Sequence, residues 1–279
     1  MFADTEEGIA GALQAGATVL WANTVLFSGH PLEAHRGRVA IVGQLPERQQ
    51  AADDKFATNA LLKSHGLPVA GALLAGREAP ALERLAEHGL HFPLVVKPVR
   101  GRGSQGVSRV DGYTALVVAL QTLLDSRAFG NQAIVEQYLG GDELTLTVLP
   151  GAAGPLLLPP VRRLNHIDGI APYNGTVAVS SNSAALTAEE AQAPQVRGLM
   201  AACAQACDLV GARAAIRIDC RADGNGNYHI FDLNLKPNMT GAGRPGREDQ
   251  DSLCAIAARA HGWSYTDLLA AMLASAWTE

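Results

Sequence analysis

Residues 214–234 decide the fold of this chain, and they read AAIRIDCRADGNGNYHIFDLN. Apolar and polar side chains alternate over Ala214 to Arg221 and again over Tyr228 to Leu233, a pattern that is typical of half-buried strands. The segment Asp223 to Asn227 between them is rich in Gly and Asn and predicts a tight turn. We therefore expect two antiparallel strands lying side by side.

This predicted hairpin carries polar groups on one of its faces. Because side chains alternate along a strand, Arg217 and Asp219 share one face of the first strand, and Asp232 and Asn234 share one face of the second. Two carboxylates and an amide oxygen suit a hard divalent cation such as Mg²⁺, which keeps several waters and also binds phosphate oxygens. An exposed polar sheet face is the alternative interpretation of the same residues.

A glycine-rich loop, Arg100 to Gly106, lies upstream between two predicted strands, Pro93 to Pro98 and Gly106 to Val110. Its backbone N–H groups can turn inward and cradle phosphate oxygens. Lys97 ends the first strand, where a buried ammonium needs an anionic partner, and a nucleotide phosphate would supply one. A ligand-free hairpin and a lysine that reaches solvent are the alternatives, since the Gly-Lys-Ser/Thr ending of a P-loop is missing.

The other segments predict an α/β chain of the α+β kind, with helices and strands alternating. Helices are predicted over Thr5 to Ala15, from Pro46 towards Asp53, and over Asp54 to Gly66, Ala79 to His88, Thr114 to Leu124, Ala188 to Leu209, Ser252 to His261 and Thr266 to Ala276. Further strands are predicted over Thr18 to Ala22, Arg38 to Gly43, Gln132 to Glu136 and Glu143 to Leu149. Residues 165–182 are expected to form a polar loop.

Composition excludes several classes of protein. The chain has 279 residues, of which 48% are hydrophobic, enough for about two domains or one large α/β unit. A net charge of −5 without a long single-sign run disfavours a nucleic-acid surface. No apolar stretch is long enough to span a bilayer and the start is acidic, so we expect a soluble, cytoplasmic protein without a membrane partner. The cysteines Cys203, Cys207, Cys220 and Cys254 lack metal-site and disulfide spacing.

A series of short motifs from Lys55 onward resembles one enzyme family. In chain order they are Asp54-Lys55, Gly66-Leu67-Pro68-Val69, Val96-Lys97-Pro98 with its glycine loop, Val135-Glu136-Gln137-Tyr138-Leu139, Glu143, Arg217-Ile218-Asp219, Asp232-Leu233-Asn234 and Pro237-Asn238-Met239-Thr240. Their order and spacing resemble the ATP-grasp enzymes, and the D-alanine:D-alanine ligases in particular. The resemblance implies an ATP-dependent carboxylate–amine ligase that forms an amide or peptide bond through an acyl phosphate, acting on an amino acid or a related small metabolite.

The resemblance also implies a domain organisation. Residues 1–54 would be a shortened N-terminal α/β domain, and residues 55–279 the ATP-grasp domain, with a nucleotide-gripping lobe at about 55–140 and a magnesium lobe at about 141–279. Family members have a longer first domain, so a truncated form, a misplaced gene start and a minimal variant are all open. The implied cofactors are ATP and Mg²⁺, with Mn²⁺ as an alternative. The implied partners are a small-molecule carboxylate and an amine, and a homodimer is left open.

Residue by residue, the resemblance implies roles on the nucleotide side of the site. The nucleotide ligands would be Lys55, Lys97, Gly103, Ser104, Gly106, Glu136, Gln137, Tyr138, Leu139, Glu143 and Phe231. The metal ligands would be Asp219, Asp232 and Asn234. Arg217 would stabilise negative charge during transfer, and Ser104 would close over the triphosphate, so both are expected to be catalytic. Asp232 stands where the D-alanine ligases commonly have Glu.

The substrate side departs from the family. Thr176 and Val177 stand where the D-alanine ligases carry a Lys-Tyr pair, and Gly103 replaces a loop serine, which makes D-alanine dipeptide synthesis doubtful. Substrate contacts are expected from Asn238, Arg244, Arg247, Ser252 and Leu253. We hypothesise that one of the two arginines in the inserted segment 241–251 binds an acidic substrate group. A solvated loop is the alternative, and the KM values of the Arg→Ala variants separate the two.

Two other functions stay open from the sequence. A catalytically reduced ATP-grasp homologue would bind nucleotide without ligating, and would release ADP that no carboxylate and amine pair stimulates. A dinucleotide-binding oxidoreductase is disfavoured, because no Gly-x-Gly-x-x-Gly follows a first strand and opens a helix.

Overall fold

The computed structural model describes residues 2–22, 24–172, 179–243, 245–246, 248 and 251–279. The helices are α1 (Glu6–Gln14), α2 (Pro46–Ala52), α3 (Lys55–Ser64), α4 (Leu82–Glu87), α5 (Tyr113–Asp125), α6 (Ala188–Ala191), α7 (Pro194–Leu209), α8 (Leu253–Ala260) and α9 (Tyr265–Ala274), with 3₁₀ turns at Pro31–His35 and Val179–Ser181. The strands are β1 (Val19–Trp21), β2 (Ala40–Val42), β3 (Ala72–Ala75), β4 (Leu94–Pro98), β5 (Ser108–Val110), β6 (Ala133–Gln137), β7 (Glu143–Leu149), β8 (Leu156–Leu157), β9 (Val161–Arg163), β10 (Ser183–Ala185), β11 (Ile216–Ala222) and β12 (Tyr228–Asn234).

Three sheets organise the described part of the chain. The four-stranded sheet has the order β3-β6-β4-β5, and α5 packs against it through leucines that include Leu116 and Leu120. The six-stranded sheet has the order β10-β9-β7-β11-β12, with β8 paired to β7. Helix α7 covers this second sheet with Leu199 and Cys203, and α3 adds Leu62 to the same core. The two sheets are the centres of two α+β lobes.

The hairpin predicted from residues 214–234 is confirmed. Strands β11 and β12 pair in antiparallel fashion, with Arg217 opposite Asn234 and Asp219 opposite Asp232. The turn is held by Asp223, whose carboxylate accepts hydrogen bonds from the backbone N–H groups of Asn225 and Asn227 at 2.8 and 2.9 Å. These bonds lower the pKa of the Asp223 carboxyl to about 2.

A small N-terminal unit precedes the two lobes. Strands β1 and β2 are parallel, as expected for part of a βαβ arrangement, and α1 packs beside them. The end of the chain returns to this unit, because Trp277 forms an antiparallel bridge with Ile41 and its indole N–H donates to the carbonyl of Gly43 at 2.8 Å. The N-terminal unit is therefore fixed to the body of the protein by backbone hydrogen bonds.

The predicted helix from Ala188 to Leu209 is wrong in one respect, because the structure divides it into α6 and α7. Pro194 begins α7, where its missing N–H costs nothing, whereas the same proline inside one long helix would remove a hydrogen bond. Helix α6 is closed by a capping box between Thr187 and Glu190. Strands β3, β8, β9 and β10 were not expected, since each has only two to four residues.

Gln44 is the buried polar contact between the N-terminal unit and the six-stranded sheet. Its amide N–H₂ group donates to the carbonyls of Ala214 and Leu235, both at 3.0 Å, and its carbonyl oxygen accepts from the N–H of Arg213 at 2.9 Å. The residue is only 3% exposed. All three partners therefore depend on one side chain for their hydrogen bonds.

We predict that Gln44→Ala lowers the free energy of unfolding by about 1–3 kcal/mol, because it leaves buried backbone groups without partners. Urea denaturation followed by circular dichroism measures the change. The matched control is Gln121→Ala on the exposed face of α5, which should change stability by less than about 0.5 kcal/mol. Equal stability of the two variants would contradict the role given to Gln44.

No helix within the described ranges is both long enough and apolar enough to cross a membrane.

Candidate active site

A cleft of about 1620 Å³ opens between the two lobes and the N-terminal unit. The four-stranded sheet contributes Lys97 and Glu136, the six-stranded sheet contributes Arg217 and Asp219, and the glycine loop at 100–106 lies at the rim. The nucleotide, metal and catalytic residues expected from the sequence, apart from Gly106, line this one cleft.

The metal-ligand candidates lie on one face of the β11–β12 hairpin. Directly opposed residues in an antiparallel pair point to the same side, so Arg217, Asn234, Asp219 and Asp232 face the cleft together. Asp219 accepts a hydrogen bond from the Thr145 hydroxyl at 2.7 Å and another from the Arg217 guanidinium at 2.8 Å. Burial alone would lower the pKa of Arg217, but the Asp219 carboxylate raises it, so the guanidinium is firmly cationic.

Two ion pairs lie beside this face. Lys55, the first residue of α3, places its Nζ 2.6 Å from Asp232 Oδ1, because α3 packs against β12. Lys97 Nζ lies 2.8 Å from Glu136, since both side chains leave the same face of the β4–β6 pair. Burial opposes ionisation of Asp232, but Lys55 and Lys97 outweigh it and hold the pKa of the carboxyl below its usual range.

Lys97 has an anionic partner within the protein that the sequence did not indicate. The sequence suggested that a nucleotide phosphate would neutralise this buried ammonium, whereas the structure gives it Glu136 and, from the other lobe, the carbonyl of Phe231 at 2.9 Å. Burial raises the pKa of Glu136, and Lys97 opposes that shift. The lysine thus ties the two lobes together across the cleft, and its three N–H groups meet both carboxylate oxygens of Glu136 and the carbonyl of Phe231.

The proposed adenine and ribose side of the cleft has its own contacts. The side chain of Gln137 is directed to the backbone of His91 and Pro93. The backbone N–H of Gln137 donates to the carbonyl of Gly71 at 2.8 Å. The ring of Tyr138 lies between two guanidinium groups, with Arg109 and Arg221 at 4.7 and 5.0 Å from its centroid. Cation–π contacts of this kind fix the ring in place.

Glu143, the expected ribose ligand, is buried and faces two basic side chains. Its Oε2 lies 2.8 Å from His166 Nε2 and 3.8 Å from the Arg221 guanidinium. A carboxylate has about four acceptor positions, so these contacts leave room for ribose hydroxyls. His166 and Arg221 were not among the residues expected at the site, because no motif surrounds them.

The glycine loop adopts left-handed backbone conformations at three positions, two of which are glycines. Gly103 and Gly106 have φ values of +65° and +72°, and Ser104 has +58°. At Gly106 a Cβ would approach the Leu123 side chain to 2.7 Å, so glycine is required for close packing there. The Ser104 hydroxyl donates to the carbonyl of Ala171 at 3.3 Å, which joins the loop to the opposite lobe.

The expected substrate residues are only partly described. Asn238, Ser252 and Leu253 line the cleft, and the Ser252 hydroxyl caps α8 by accepting from the N–H of Ala255 at 3.1 Å. Arg244 and Arg247 lie outside the described residues, as do the loop positions 176 and 177.

Besides Arg221, the cleft contains two further basic residues, Arg163 and Lys236, that the sequence did not indicate. Arg163 on β9 is 8% exposed and donates to Ser183 at 3.1 Å and to the carbonyl of Pro172 at 3.4 Å, and burial lowers its pKa. Lys236, two residues after β12, also lines the cleft. Burial lowers the pKa of its ammonium. Neither residue belongs to a motif with a recognisable spacing, so no sequence signal marks them.

The donor set fits a metal that travels with a nucleotide. Within the described ranges, no group of three or more His, Cys, Asp or Glu side chains could hold an ion by itself. The hairpin face offers the carboxylates of Asp219 and Asp232 and the amide oxygen of Asn234, so an octahedral Mg²⁺ would complete its shell with phosphate oxygens and waters. The residues present therefore fit a nucleotide-bound divalent cation.

Two α+β lobes that enclose a cleft with these residues define an ATP-grasp protein, and the fold expected from the sequence is confirmed by solved structures. D-alanine–D-alanine ligase from Bacillus anthracis complexed with ATP has a TM-score of 0.73 at 18% identity, covering 98% of this chain and 83% of that chain. VanG D-Ala:D-Ser ligase from Enterococcus faecalis has a TM-score of 0.67 at 18% identity, covering 93% and 73%. Residues 61–274 match the family described as D-ala D-ala ligase C-terminus, and the chain belongs to that family.

Curated relatives give the same result. D-alanine–D-alanine ligase from Ectopseudomonas mendocina is 31% identical over 227 residues, which cover 80% of this chain and 65% of that protein. The enzyme of the same name from Haemophilus influenzae is 33% identical over 192 residues, which cover 67% of this chain and 61% of that protein. The chain therefore spans slightly less than two thirds of the length of these relatives.

Proposed function

We propose that the protein is an ATP-dependent carboxylate–amine ligase that forms an amide through an acyl phosphate. The observation that carries this proposal is the hairpin face, where Arg217, Asp219, Asp232 and Asn234 lie together and meet Lys55 and Lys97 in one cleft. Membership in the D-ala D-ala ligase C-terminus family supports the same chemistry.

The first half-reaction transfers the γ-phosphoryl group of ATP to a substrate carboxylate. A carboxylate oxygen attacks the phosphorus, the bond to the bridging oxygen breaks, and ADP leaves. Mg²⁺, or Mn²⁺ in its place, would be held by Asp219, Asp232 and Asn234 and would neutralise charge on the phosphates. Lys55 and Lys97 bind phosphate oxygens, and Arg217 stabilises the negative charge on the group in transfer.

The second half-reaction joins the two substrates. The amine attacks the carbonyl carbon of the acyl phosphate, inorganic phosphate leaves with its electron pair, and the amine gives up a proton to solvent. Arg217 is fixed by Asp219 at 2.8 Å, so it is already oriented towards the charge that develops on the oxyanion. The loop containing Ser104 contacts the opposite lobe at Ala171, and its closure over bound ATP would exclude water that hydrolyses the acyl phosphate.

We predict that ADP release requires both a carboxylate and an amine in addition to Mg²⁺ and ATP. A coupled ADP-release assay over pairs of D- and L-amino acids, with mass spectrometry of the products, measures this. Chelation of the metal by EDTA should abolish release, and Mn²⁺ should restore it, because the donor set is made of oxygens. ADP release that no pair stimulates would instead identify a homologue that binds nucleotide without ligating.

A further inference from the structure

Lys236 differs from the other basic residues that line the cleft. Each of the others donates a hydrogen bond to a described partner: Lys55 to Asp232, Lys97 to Glu136, Arg102 to Asp53, Arg163 to Ser183, Arg217 to Asp219 and Arg221 to Gly141. For the Lys236 ammonium, no hydrogen bond or ion pair exists among the described residues, although the residue is half-buried. A half-buried cation without a counter-ion is costly unless a ligand supplies one.

The backbone around Lys236 is fixed on both sides. Its N–H donates to Asn234 Oδ1 at 2.9 Å, the carbonyl of Leu235 accepts from Gln44 at 3.0 Å, and the buried Pro237 follows. The side chain therefore leaves from a rigid segment rather than from a mobile loop. Because the backbone is already ordered, only the lysine side chain has to be immobilised when a ligand arrives, which lowers the entropy cost of binding.

The cleft around Lys236 lies on the side away from the nucleotide lobe. The residue is flanked by the N-terminal unit, where the same wall is lined by Trp21, the last residue of β1, and by Thr24, which follows the strand. The carboxyl ends of parallel strands commonly face ligands. The hydroxyl of Thr24 has no hydrogen-bond partner in the parts of the chain that the structure covers.

The order of residues along the hairpin separates this wall from the phosphates. Asp232 contacts Lys55 near the nucleotide lobe, Asn234 comes next, and Lys236 lies two residues further on. Strand β12 ends at Asn234, so Lys236 lies beyond the strand, where it lines a small pocket together with residues of the N-terminal unit. An anion at Lys236 therefore belongs to a substrate rather than to ATP.

We propose that Lys236, assisted by the hydroxyl of Thr24, binds a second carboxylate on an amino-acid substrate, so that the ligase takes an acidic amino acid. This inference rests on the proposed function, because it assigns the substrate class of the same site. The acidic side chain can belong to the acyl donor or to the amine. The chemistry that Lys236 recognises is the same in both cases.

The test compares each acidic amino acid with its amide, which has nearly the same shape but no charge. Aspartate and asparagine, and glutamate and glutamine, are supplied in D and L forms to the full chain with Mg²⁺ and ATP. We expect the wild type to prefer the acid by about tenfold to a hundredfold in kcat/KM, the size of a charge-assisted hydrogen bond. Fragmentation of the amide product shows whether the acid is the acyl donor or the amine.

Three variants decide the role of the residue. Lys236→Met, with circular dichroism to verify folding, should remove the preference for the acid while leaving the amide and the KM for ATP unchanged. Lys236→Arg should keep most of the preference, since it keeps the charge. Lys63→Met, at an exposed position of α3, is the matched control and should behave as the wild type.

Three results would overturn the assignment: equal losses for acid and amide in Lys236→Met, a preference that survives in that variant, or a changed KM for ATP. Calorimetry in the presence of a non-hydrolysable ATP analogue measures binding of the acidic amino acid without any reaction. This keeps the test of the subsite separate from the test of the ligase proposal. Lys236-dependent binding of the acid without stimulated ADP release would support the subsite and contradict the ligase. ADP release with neutral substrates and no preference for the acid would support the ligase and contradict the subsite.

Discussion

Arg217→Met should lower kcat by about 10²–10³-fold, the usual cost of removing one preorganised donor from a developing oxyanion. The guanidinium is fixed by Asp219 at 2.8 Å and faces the same cleft as the metal-ligand candidates. Its interaction with the transferring group is made mainly in the transition state, so the KM for ATP should change little. Steady-state ADP release, with ATP and the substrates varied in turn, measures both quantities.

Two variants serve as controls for Arg217→Met: a substitution of an exposed arginine outside the cleft, and a conservative substitution of Arg217 itself. Arg77→Met removes a guanidinium whose side chain is 70% exposed and lies outside the cleft, so its kinetics should equal those of the wild type. Arg217→Lys should recover only part of the activity, because a lysine cannot reproduce the planar fork that meets Asp219 and the oxyanion together. A tenfold rise in the KM for ATP with kcat unchanged would show that Arg217 serves nucleotide binding instead.

The hairpin at residues 214–234 could be predicted because most of its determinants are local. Alternation places Arg217 with Asp219 and Asp232 with Asn234, and the turn Asp223 to Asn227 brings the two strands together. A register shift between Asp219 and Cys220 then sets Asp219 opposite Asp232, and the spacing of the sequence does not record that shift. The glycine loop and the lysine before it are local patterns of the same kind, and their role in binding phosphate stays a prediction. Each of these features is determined by residues that are close together in the sequence, so local sequence patterns can predict it.

The contacts of the site could not be predicted in the same way, because they join distant parts of the chain. Lys97 and Glu136 are 39 residues apart, and their pairing depends on β4 lying beside β6. Gln44 reaches Ala214 across 170 residues. Strands of two or three residues, such as β8 and β9, also give too short a pattern to distinguish from loop.

The lack of a partner for Lys236 among the described residues is the clearest case of such non-local information. Its sequence context, Leu235 and Pro237, predicts nothing about charge. Only the folded arrangement shows that the cleft acids Asp219, Asp232, Glu136 and Glu143 are already engaged by other bases. We therefore infer the substrate class from a basic residue of the cleft that no described acid pairs with. Only the folded structure identifies this residue.

Asp232→Asn should reduce kcat/KM for Mg-ATP by at least about a hundredfold, since charge stabilisation by a bound metal amounts to several kcal/mol and each 1.4 kcal/mol is tenfold. Asp232 lies opposite Asp219 on the hairpin, and its Oδ1 lies 2.6 Å from Lys55 Nζ. An amide at this position therefore removes one negative charge from the metal site and also removes the counter-ion of Lys55. The Mg²⁺ concentration for half-maximal activity should rise, which a titration of ADP release against Mg²⁺ measures.

Two further variants separate loss of a metal ligand from loss of the ion pair. Asp232→Glu keeps the charge with the carboxylate that the D-alanine ligases commonly have at this position, so it should keep most of the activity. Asp208→Asn, at an exposed position of α7, is the matched control and should leave the Mg²⁺ titration unchanged. If Asp232→Asn lowers the affinity for ATP but keeps the wild-type Mg²⁺ dependence, Asp232 acts by orienting Lys55 rather than by binding the metal. The charge on the hairpin would then come from Asp219 alone, and Asn234 would have to supply the second protein oxygen.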